Sequence, residues 1–329
     1  MTTRRRRAIA VRAGLAAALT ALAACDGPQS VLSPAGDDAS QLTTLFWVML
    51  VGAVVLWTAM NGFFFWITRI RTGEMSRKWA EALIIGGGIL FPVVVLTALL
   101  SYGLTIMPDQ RAPGDGLRVR ITGEQWWWRV EYWSEGADAP VVSANELRLP
   151  AGLRSDIELT AARVIHSFWV PALGGKMDMF PGRVTETSLA PHTPGTYRGQ
   201  CAEFCGLSHA LMAFRAVVLP EDEFDAWLAR EAEDSAAPPG PGRDVFMAEG
   251  CGACHTVRGT EAAGQVGPDL THVGSRQSLA AGILPMTSDA LVDWIADPEA
   301  FKPGVEMPGY DHLPQEDMMA LARWLEGLK

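Results

Sequence analysis

From Leu42 to Thr68 the chain runs "LTTLFWVMLVGAVVLWTAMNGFFFWIT" without a charge, and a second uncharged run, "ALIIGGGILFPVVVLTALLSYGLTIMP", goes from Ala82 to Pro108. Each exceeds the roughly 20 residues an α-helix needs to cross a bilayer, and the buried core helix of a soluble protein rarely stays uncharged over so many positions. The two runs predict a transmembrane hairpin over residues 42–108. Beyond it the pattern shifts to short alternating, β-branched runs such as "LRVRITGEQWWWRVEYW", "NELRLPAG", "RSDIELTAA", "RVTETSLA", "GTYRGQ" and "FRAVVLP", punctuated by Gly and Pro. This spacing predicts an antiparallel sandwich or barrel over 113–225. "PEDEFDAWLAREAE" (Pro220–Glu233) reads as a helix begun by proline and acidic residues, and "DSAAPPGPG" (Asp234–Gly242) as a linker whose composition cannot pack, giving a boundary at 226–242. From Arg243 to Lys329 the periodicity is helical, with Leu321, Trp324, Leu325 and Leu328 on one face of the last helix. So small an α domain usually needs a cofactor to hold it together.

Ahead of the hairpin, Arg4–Arg7 and an Ala-rich apolar run to Ala24 read as a secretory signal, residues 1–25. It ends in "LAAC", which resembles the lipobox of bacterial lipoproteins; that resemblance implies Cys25 as a lipidated mature N-terminus and Asp26 as an inner-membrane retention signal. The alternative is an uncleaved anchor. The loop between the spans carries Arg69, Arg71, Arg77 and Lys78 against Glu74 alone, so it should face the cytoplasm. Everything after Pro108 then lies on the periplasmic side of a bacterial inner membrane, in agreement with an exported N-terminus.

Lys and Arg number 27 against 37 Asp and Glu, a net charge of −10. That balance argues against nucleic acid as a partner, since phosphate binding needs a basic surface. An acidic exterior suits soluble cationic proteins.

The candidate chemistry lies in the 5 cysteines. "CGACH", Cys251–His255, has the C-x-x-C-H spacing at which two thioethers hold a porphyrin edge while the next histidine ligates iron. Among Met286, Met307, Met318 and Met319, the best sixth ligand is Met307, because "KPGVEMPGY" is a Gly/Pro-rich loop able to bring a thioether to iron. Met286 is second, and Met318 and Met319 fall on the last helix, where methionine is usually core. "CAEFCGLSHALM", Cys201–Met212, fits neither haem attachment nor a zinc ribbon. Cysteine, histidine and a weak methionine form the copper electron-transfer pattern. A mononuclear blue site needs one thiolate; two that can bridge suggest two coppers and require a second imidazole, which His166 supplies beside a strand. His192, His272 and His312 have no ligand spacing and read as structural or surface residues.

"HSFWVPALGGKMDMFPGR" together with "CAEFCGLSHALM" resembles subunit II of haem-copper cytochrome c oxidases, in its dinuclear copper domain. The two-helix anchor, "QWWW" at Gln125–Trp128 and the C-terminal haem domain make the chain similar to the variety with a fused cytochrome c. The resemblance covers Leu42 to the end and implies a multidomain protein: a two-helix transmembrane hairpin, an all-β cupredoxin-like Greek-key sandwich and an all-α cytochrome c domain. It implies that Cys201 and Cys205 bridge two coppers, that His166 and His209 each bind one, and that Met212 and the Glu203 carbonyl make weak axial contacts. It further implies that the Glu203 carboxylate binds magnesium at the junction with subunit I and that electrons reach copper through Trp126. "GPDLTHVGSR" also matches the fused-cytochrome family, a resemblance that implies Pro268 packs under the proximal histidine and that places Glu81 near a family carboxylate at a proton-channel mouth, although "AEALIIGGGILFPVVV" departs from the commonest pattern there. The function implied is to pass electrons from a cytochrome c donor through haem c and the copper pair to subunit I, in a proton-pumping oxidase with subunit III. The donor is a soluble or membrane cytochrome c or a quinol–cytochrome c reductase. Alternatives are the equivalent subunit of a nitric-oxide reductase and a membrane-anchored copper-binding or chaperone protein; the copper ligands exclude a quinol-oxidase subunit, and the few histidines exclude a nitrous-oxide reductase.

Overall fold

The computed structural model describes residues 27–71 and 73–329. The signal segment and Cys25 lie outside the described residues. Helix α1 (Asp37–Phe65) continues into a π-helical turn at Trp66–Ile70. After the loop, α2 (Arg77–Ala82) leads through a π-helical stretch, Leu83–Leu90, into α3 (Phe91–Ile106). The two continuous helices, Asp37–Ile70 and Arg77–Arg111, are 34 and 35 residues long and reach mean hydropathies of 2.0 and 2.6, long and apolar enough to cross a membrane. The first begins ahead of its uncharged stretch, where acidic Asp37 and Asp38 suit the positive end of α1. Their apolar side chains, Val55, Trp57, Ile84 and Leu96 among them, face outward, which water would not tolerate over so large an area.

The sandwich has two five-stranded sheets, in the orders β3-β2-β1-β5-β8 and β4-β10-β9-β6-β7. The strands are β1 (Arg118–Gly123), β2 (Trp128–Trp133), β3 (Val141–Ala144), β4 (Glu146–Pro150) and β5 (Ser155–Ala161), then β6 (His166–Trp169), β7 (Met177–Met179), β8 (Thr185–Leu189), β9 (Gly195–Cys201) and β10 (Ala213–Leu219). Alternation puts Val119 and Ile121 of β1, Trp128, Val130 and Tyr132 of β2, and Ile157 and Leu159 of β5 into one core with Leu147, Phe168 and Phe214. An all-antiparallel arrangement was expected, yet β1 pairs parallel with β5 and β4 with β10. The chain switches sheets at β4 before returning on β5, which brings it back beside β1 in the same direction. Helix α4 (Glu221–Ala232) closes one end of the core with Phe224 and Trp227 against Tyr132.

The expected linker is packed. Ser235 and Ala237 are buried, the Ser235 amide donates to the Arg258 carbonyl at 3.1 Å, and the Trp324 indole donates to the Pro238 carbonyl at 3.1 Å. Prolines fix the backbone in an extended course that lies on the C-terminal domain without losing further entropy. That domain holds α5 (Pro241–Ala248), α6 (Ser288–Ala296), α7 (Pro298–Phe301) and α8 (Gln315–Glu326). Helices α5 and α8 cross at Gly242, where a Cβ would stand 2.3 Å from the Ala320 carbonyl. One element departs from all-α: a ribbon of β11 (Ser278–Leu279) and β12 (Leu284–Pro285) that reaches toward the sandwich.

The base of α1 is fixed to the sandwich by a buried ion pair. Arg154 Nη1 lies 3.1 Å from Asp38 Oδ2 and 2.9 Å from Ser188 Oγ, and Asp38 is 1% exposed. Replacing Arg154 by methionine strands a buried carboxylate and should cost about 3 kcal/mol. The check is the midpoint of thermal unfolding of the full chain in detergent, which should fall for Arg154→Met.

Candidate functional site: a thiolate–imidazole pocket and a haem cleft

One sheet, through the neighbouring strands β6, β9 and β10, brings the metal candidates to one end of the sandwich. His166 opens β6, Cys201 closes β9, and the loop to β10 folds back so that the Cys201 amide donates to the Met212 carbonyl at 2.9 Å and the Ala202 amide to the Ser167 carbonyl at 3.0 Å. A short 3-10 turn, His209–Leu211, aims His209 inward. Gly206 turns this loop with φ +118°, a backbone that favours glycine.

The donor atoms converge. Cys201 Sγ lies 3.8 Å from Cys205 Sγ and 3.7 Å from His166 Nδ1; Cys205 Sγ lies 3.6 Å from His209 Nδ1 and 3.8 Å from Met212 Sδ. The Glu203 carbonyl is 3.2 Å from Cys201 Sγ, while the Glu203 residue itself is exposed. His166, Cys201, Cys205 and Met212 are buried, and both cysteines are free thiols. A Cβ at Gly123 would stand 2.8 Å from His166 Cδ2, so β1 must carry glycine where the imidazole lies. His166 Nε2 is buried with no hydrogen-bond partner among the described residues. Soft sulfurs and imidazoles crowded at these distances, two sulfurs between two rings, suit two copper ions sharing two thiolates. Charge supports the same reading. The hydrogen bond from Cys205 pushes the Cys201 thiol down to about 3, and that same bond pushes Cys205 up, because two thiolates so close cannot both ionise without a cation.

The second site is a cleft of about 1210 Å³, part of it open solvent, lined by Cys251, Cys254, His255 and Met307 of the C-terminal domain and by Trp126 and Trp127 of the sandwich. His255 Nδ1 donates to the Pro268 carbonyl at 2.8 Å, which leaves Nε2 as the ligating nitrogen, and burial pushes its pKa down so that the imidazole stays neutral. Pro268 thus acts on the histidine through its carbonyl. Gly267 is required beneath that ring, since a Cβ there would stand 2.5 Å from His255 Cε1. Two thiols, a neutral imidazole and a facing thioether in one apolar cleft fit a covalently held haem. Met286, Met318 and Met319 do not line it, and Met318 is buried in the domain core.

The cleft abuts the metal pocket through one side chain. Trp126 is 6% exposed, and its indole Nε1 donates to the Cys205 carbonyl at 3.0 Å, where Gln125 Nε2 also donates at 3.0 Å. Across the junction, Ser208 Oγ donates to the Pro303 carbonyl at 2.8 Å, Arg148 Nη2 to the Ser275 carbonyl at 3.1 Å, and the Gln277 amide to Glu146 Oε2 at 2.9 Å. The sequence did not single out Ser208, Gly304 or Lys302, all of which meet this junction. Lys302 is 2% exposed, and burial pushes its pKa down to about 7. Lysine is a surface residue by default, so nothing in "AFKPGVEM" signals its burial. The remaining histidines are as expected: His192 is exposed, His272 Nε2 bonds the Glu233 carbonyl at 3.0 Å, and His312 pairs with Glu249 at 3.2 Å. Glu81 sits far along the chain from both sites, held by Arg77 at 2.7 Å.

A β-sandwich with a two-thiolate pocket, joined to a C-x-x-C-H domain and tied to two apolar helices, defines a membrane-anchored electron-transfer protein with two redox centres. Family models for "Cytochrome C oxidase subunit II, periplasmic domain" and "Cytochrome c" match residues 117–219 and 240–329. The cytochrome c oxidase subunit 2 of Bacillus sp. (strain PS3) is 33% identical over 268 residues, 76% of this chain and 73% of that protein. That of Alkalihalophilus pseudofirmus is 40% identical over 226 residues, 68% of this chain and 64% of that protein, and that of Bacillus subtilis 29% identical over 344 residues, 94% of each. The chain belongs to the cytochrome c oxidase subunit 2 family, in the form with a fused cytochrome c domain. It is the subunit through which electrons enter a haem-copper oxidase, its partner there is subunit I, and its two domains bind copper and haem c.

The charge on the thiol pair can be counted. Because the S–H···S bond between Cys201 and Cys205 favours one shared negative charge on the pair, copper uptake near pH 7 should release about one proton per site from the pair. Titration of metal-free protein in weak buffer measures it; release of none, or of two, contradicts this assignment.

Proposed function

We infer that the copper of this subunit is a dinuclear centre bridged by Cys201 and Cys205, with His166 and His209 as terminal ligands and Met212 and the Glu203 carbonyl as weak ones. The observation that carries this reading is the alternation imidazole, thiol, thiol, imidazole at 3.6 to 3.8 Å. Cys251 and Cys254 would hold a haem whose iron His255 and Met307 would ligate, and that haem and the copper would supply one-electron redox chemistry. The side chains do the rest. The buried strand ends fix the thiols and imidazoles so that the donor positions need not move with charge, the Pro268 carbonyl holds the His255 ring, and Trp126 spans from the haem cleft to the Cys205 backbone. The Glu203 carboxylate, exposed beyond the pocket, is free to take a magnesium ion shared with subunit I.

Electrons from a cytochrome c or a quinol–cytochrome c reductase thus enter at the fused domain and leave toward subunit I, in a complex that also holds subunit III, reduces oxygen and pumps protons. The Arg- and Lys-bearing loop between the helices faces the cytoplasm of a bacterial cell, and both redox domains face the outer side of its inner membrane. Glu81 stands at the cytoplasmic start of the second span, where a carboxylate can feed a proton path. A nitric-oxide reductase is the weaker reading, since the named relatives are oxidases. A chaperone has no use for a haem domain locked against its metal pocket.

The dinuclear assignment predicts an EPR hyperfine pattern from an electron shared equally by two coppers, lost in Cys205→Ser; a mononuclear copper signal in the native protein refutes it. Met307→Ala should abolish the methionine-ligated low-spin haem spectrum while Met286→Ala leaves it intact. Glu81→Ala should slow oxidase turnover, and unchanged turnover removes Glu81 from the proton path.

A further inference from the structure

Lys302 stands out among the charged residues because it is 2% exposed and no carboxylate among the described residues pairs with it. Its ammonium spends its donors on two backbone carbonyls. Nζ lies 2.5 Å from the Trp126 carbonyl on the sandwich and 3.0 Å from the Ala280 carbonyl on the ribbon turn between β11 and β12. Burying a cation on neutral acceptors alone is expensive, so its retention at the seam asks for a reason beyond packing.

The surroundings supply one. Ala280 and Ala281 hold φ of 51° and 61°, a left-handed backbone that disfavours alanine. That turn points the Ala280 carbonyl at Lys302 and the Ala281 carbonyl at the Ala213 amide, 3.2 Å away, at the start of β10 and next to Met212. Two residues past Lys302, Gly304 has φ +83°, and a Cβ there would stand 2.8 Å from Trp126 Cη2 and 3.0 Å from Leu207 Cδ1. Gly206 closes the other side, where a Cβ would stand 2.9 Å from Trp126 Cζ2. Trp126 is thus held on three fronts: its backbone carbonyl by Lys302, its ring between Gly206 and Gly304, and its indole N–H by the Cys205 carbonyl.

We propose that Lys302 is a positioning residue for electron transfer, a cross-domain clamp that sets the Trp126 indole between the haem cleft and the Cys205 backbone. The clamp rests on the reading of Trp126 as the link between the two centres. It belongs to the fused domain, so the domain that delivers electrons also places the residue that receives them.

The test uses the purified oxidase complex. After flash reduction of the haem domain, the rate at which the electron reaches copper is read from the haem and near-infrared copper bands, and hydrogen–deuterium exchange is read over residues 125–128 and 300–306. Lys302→Met keeps the volume and leaves the two carbonyls unpaired. It should slow the transfer at least about tenfold, as small displacements of a reacting geometry do, and raise exchange in both segments with the haem and copper spectra unchanged. Arg163→Ala, which removes the exposed cross-domain pair with Glu306, should change neither. Should Lys302→Met fail to assemble, Gly304→Ala decides, since it pushes the same indole from the ring side and should slow the transfer likewise. A native rate in Lys302→Met, or in Gly304→Ala when the former does not assemble, overturns the proposal, as does slowing accompanied by an altered copper or haem spectrum. Trp126→Phe separates the two ideas: a native rate there overturns the underlying reading, whereas slowing there with a native rate in Lys302→Met overturns the clamp alone.

Discussion

The Trp126 side chain is where the sandwich and the cytochrome domain meet: its indole donates to the Cys205 carbonyl within the sandwich, and Lys302 and Gly304 of the cytochrome domain hold it from the other side. One end of this bond lies in the metal pocket, on the backbone of a thiol donor; the other is a ring that forms a wall of the haem cleft. An indole can serve both because it is apolar over most of its area and polar at one atom. Its burial depends on the C-terminal domain being in place, since Gly304 and Lys302 cover it from that side. The fold of the cytochrome domain and the geometry beside the copper pocket are therefore one structural problem.

That coupling explains the polar character of the seam. Glu146, Lys302 and Arg276 are buried there, and Arg148 bonds both Glu146 and the Ser275 carbonyl. A seam made only of apolar side chains would bind as well but would tolerate sliding. Charged groups bonded to specific carbonyls and amides define a single register, and misregistry leaves them buried and unpaired. The packed linker acts in the same sense, laying its prolines along the cytochrome domain where a loose tether would let it swing.

Much of this was legible in the sequence and some was not, for identifiable reasons. The spans were plain because an uncharged run has few other uses. Both sites were legible because their chemistry fixes residue type and spacing, and His166, distant in sequence, arrives through the pairing of β6 with β9 that sets Phe168 opposite Cys201. The parallel strand pairs were hidden, since alternation tells which face a residue takes and never which strand lies beside it. The linker misled because Pro and Gly weaken a helix or strand, whereas a proline-rich segment can still lie extended on a partner. Lys302 and Gly304 were invisible: each earns its position from a contact across a domain boundary, and neither changes any local pattern.

The same logic runs the length of the chain. Arg154 and Asp38 fix the first membrane helix to the sandwich, the β9–β10 loop is pinned to β6 by the Ala202 amide, and the cytochrome domain is pinned to that loop through Ser208 and Pro303. Each joint is a buried polar contact at the boundary of two elements, not a larger apolar area. Apolar contact would hold the parts together, but directional bonds hold them at fixed distances, and an electron that must pass between buried centres depends on distance above all. A protein whose work is a transfer without atomic motion gains from joints that do not flex, and the polar contacts fall at the places where flexing would separate one centre from the next.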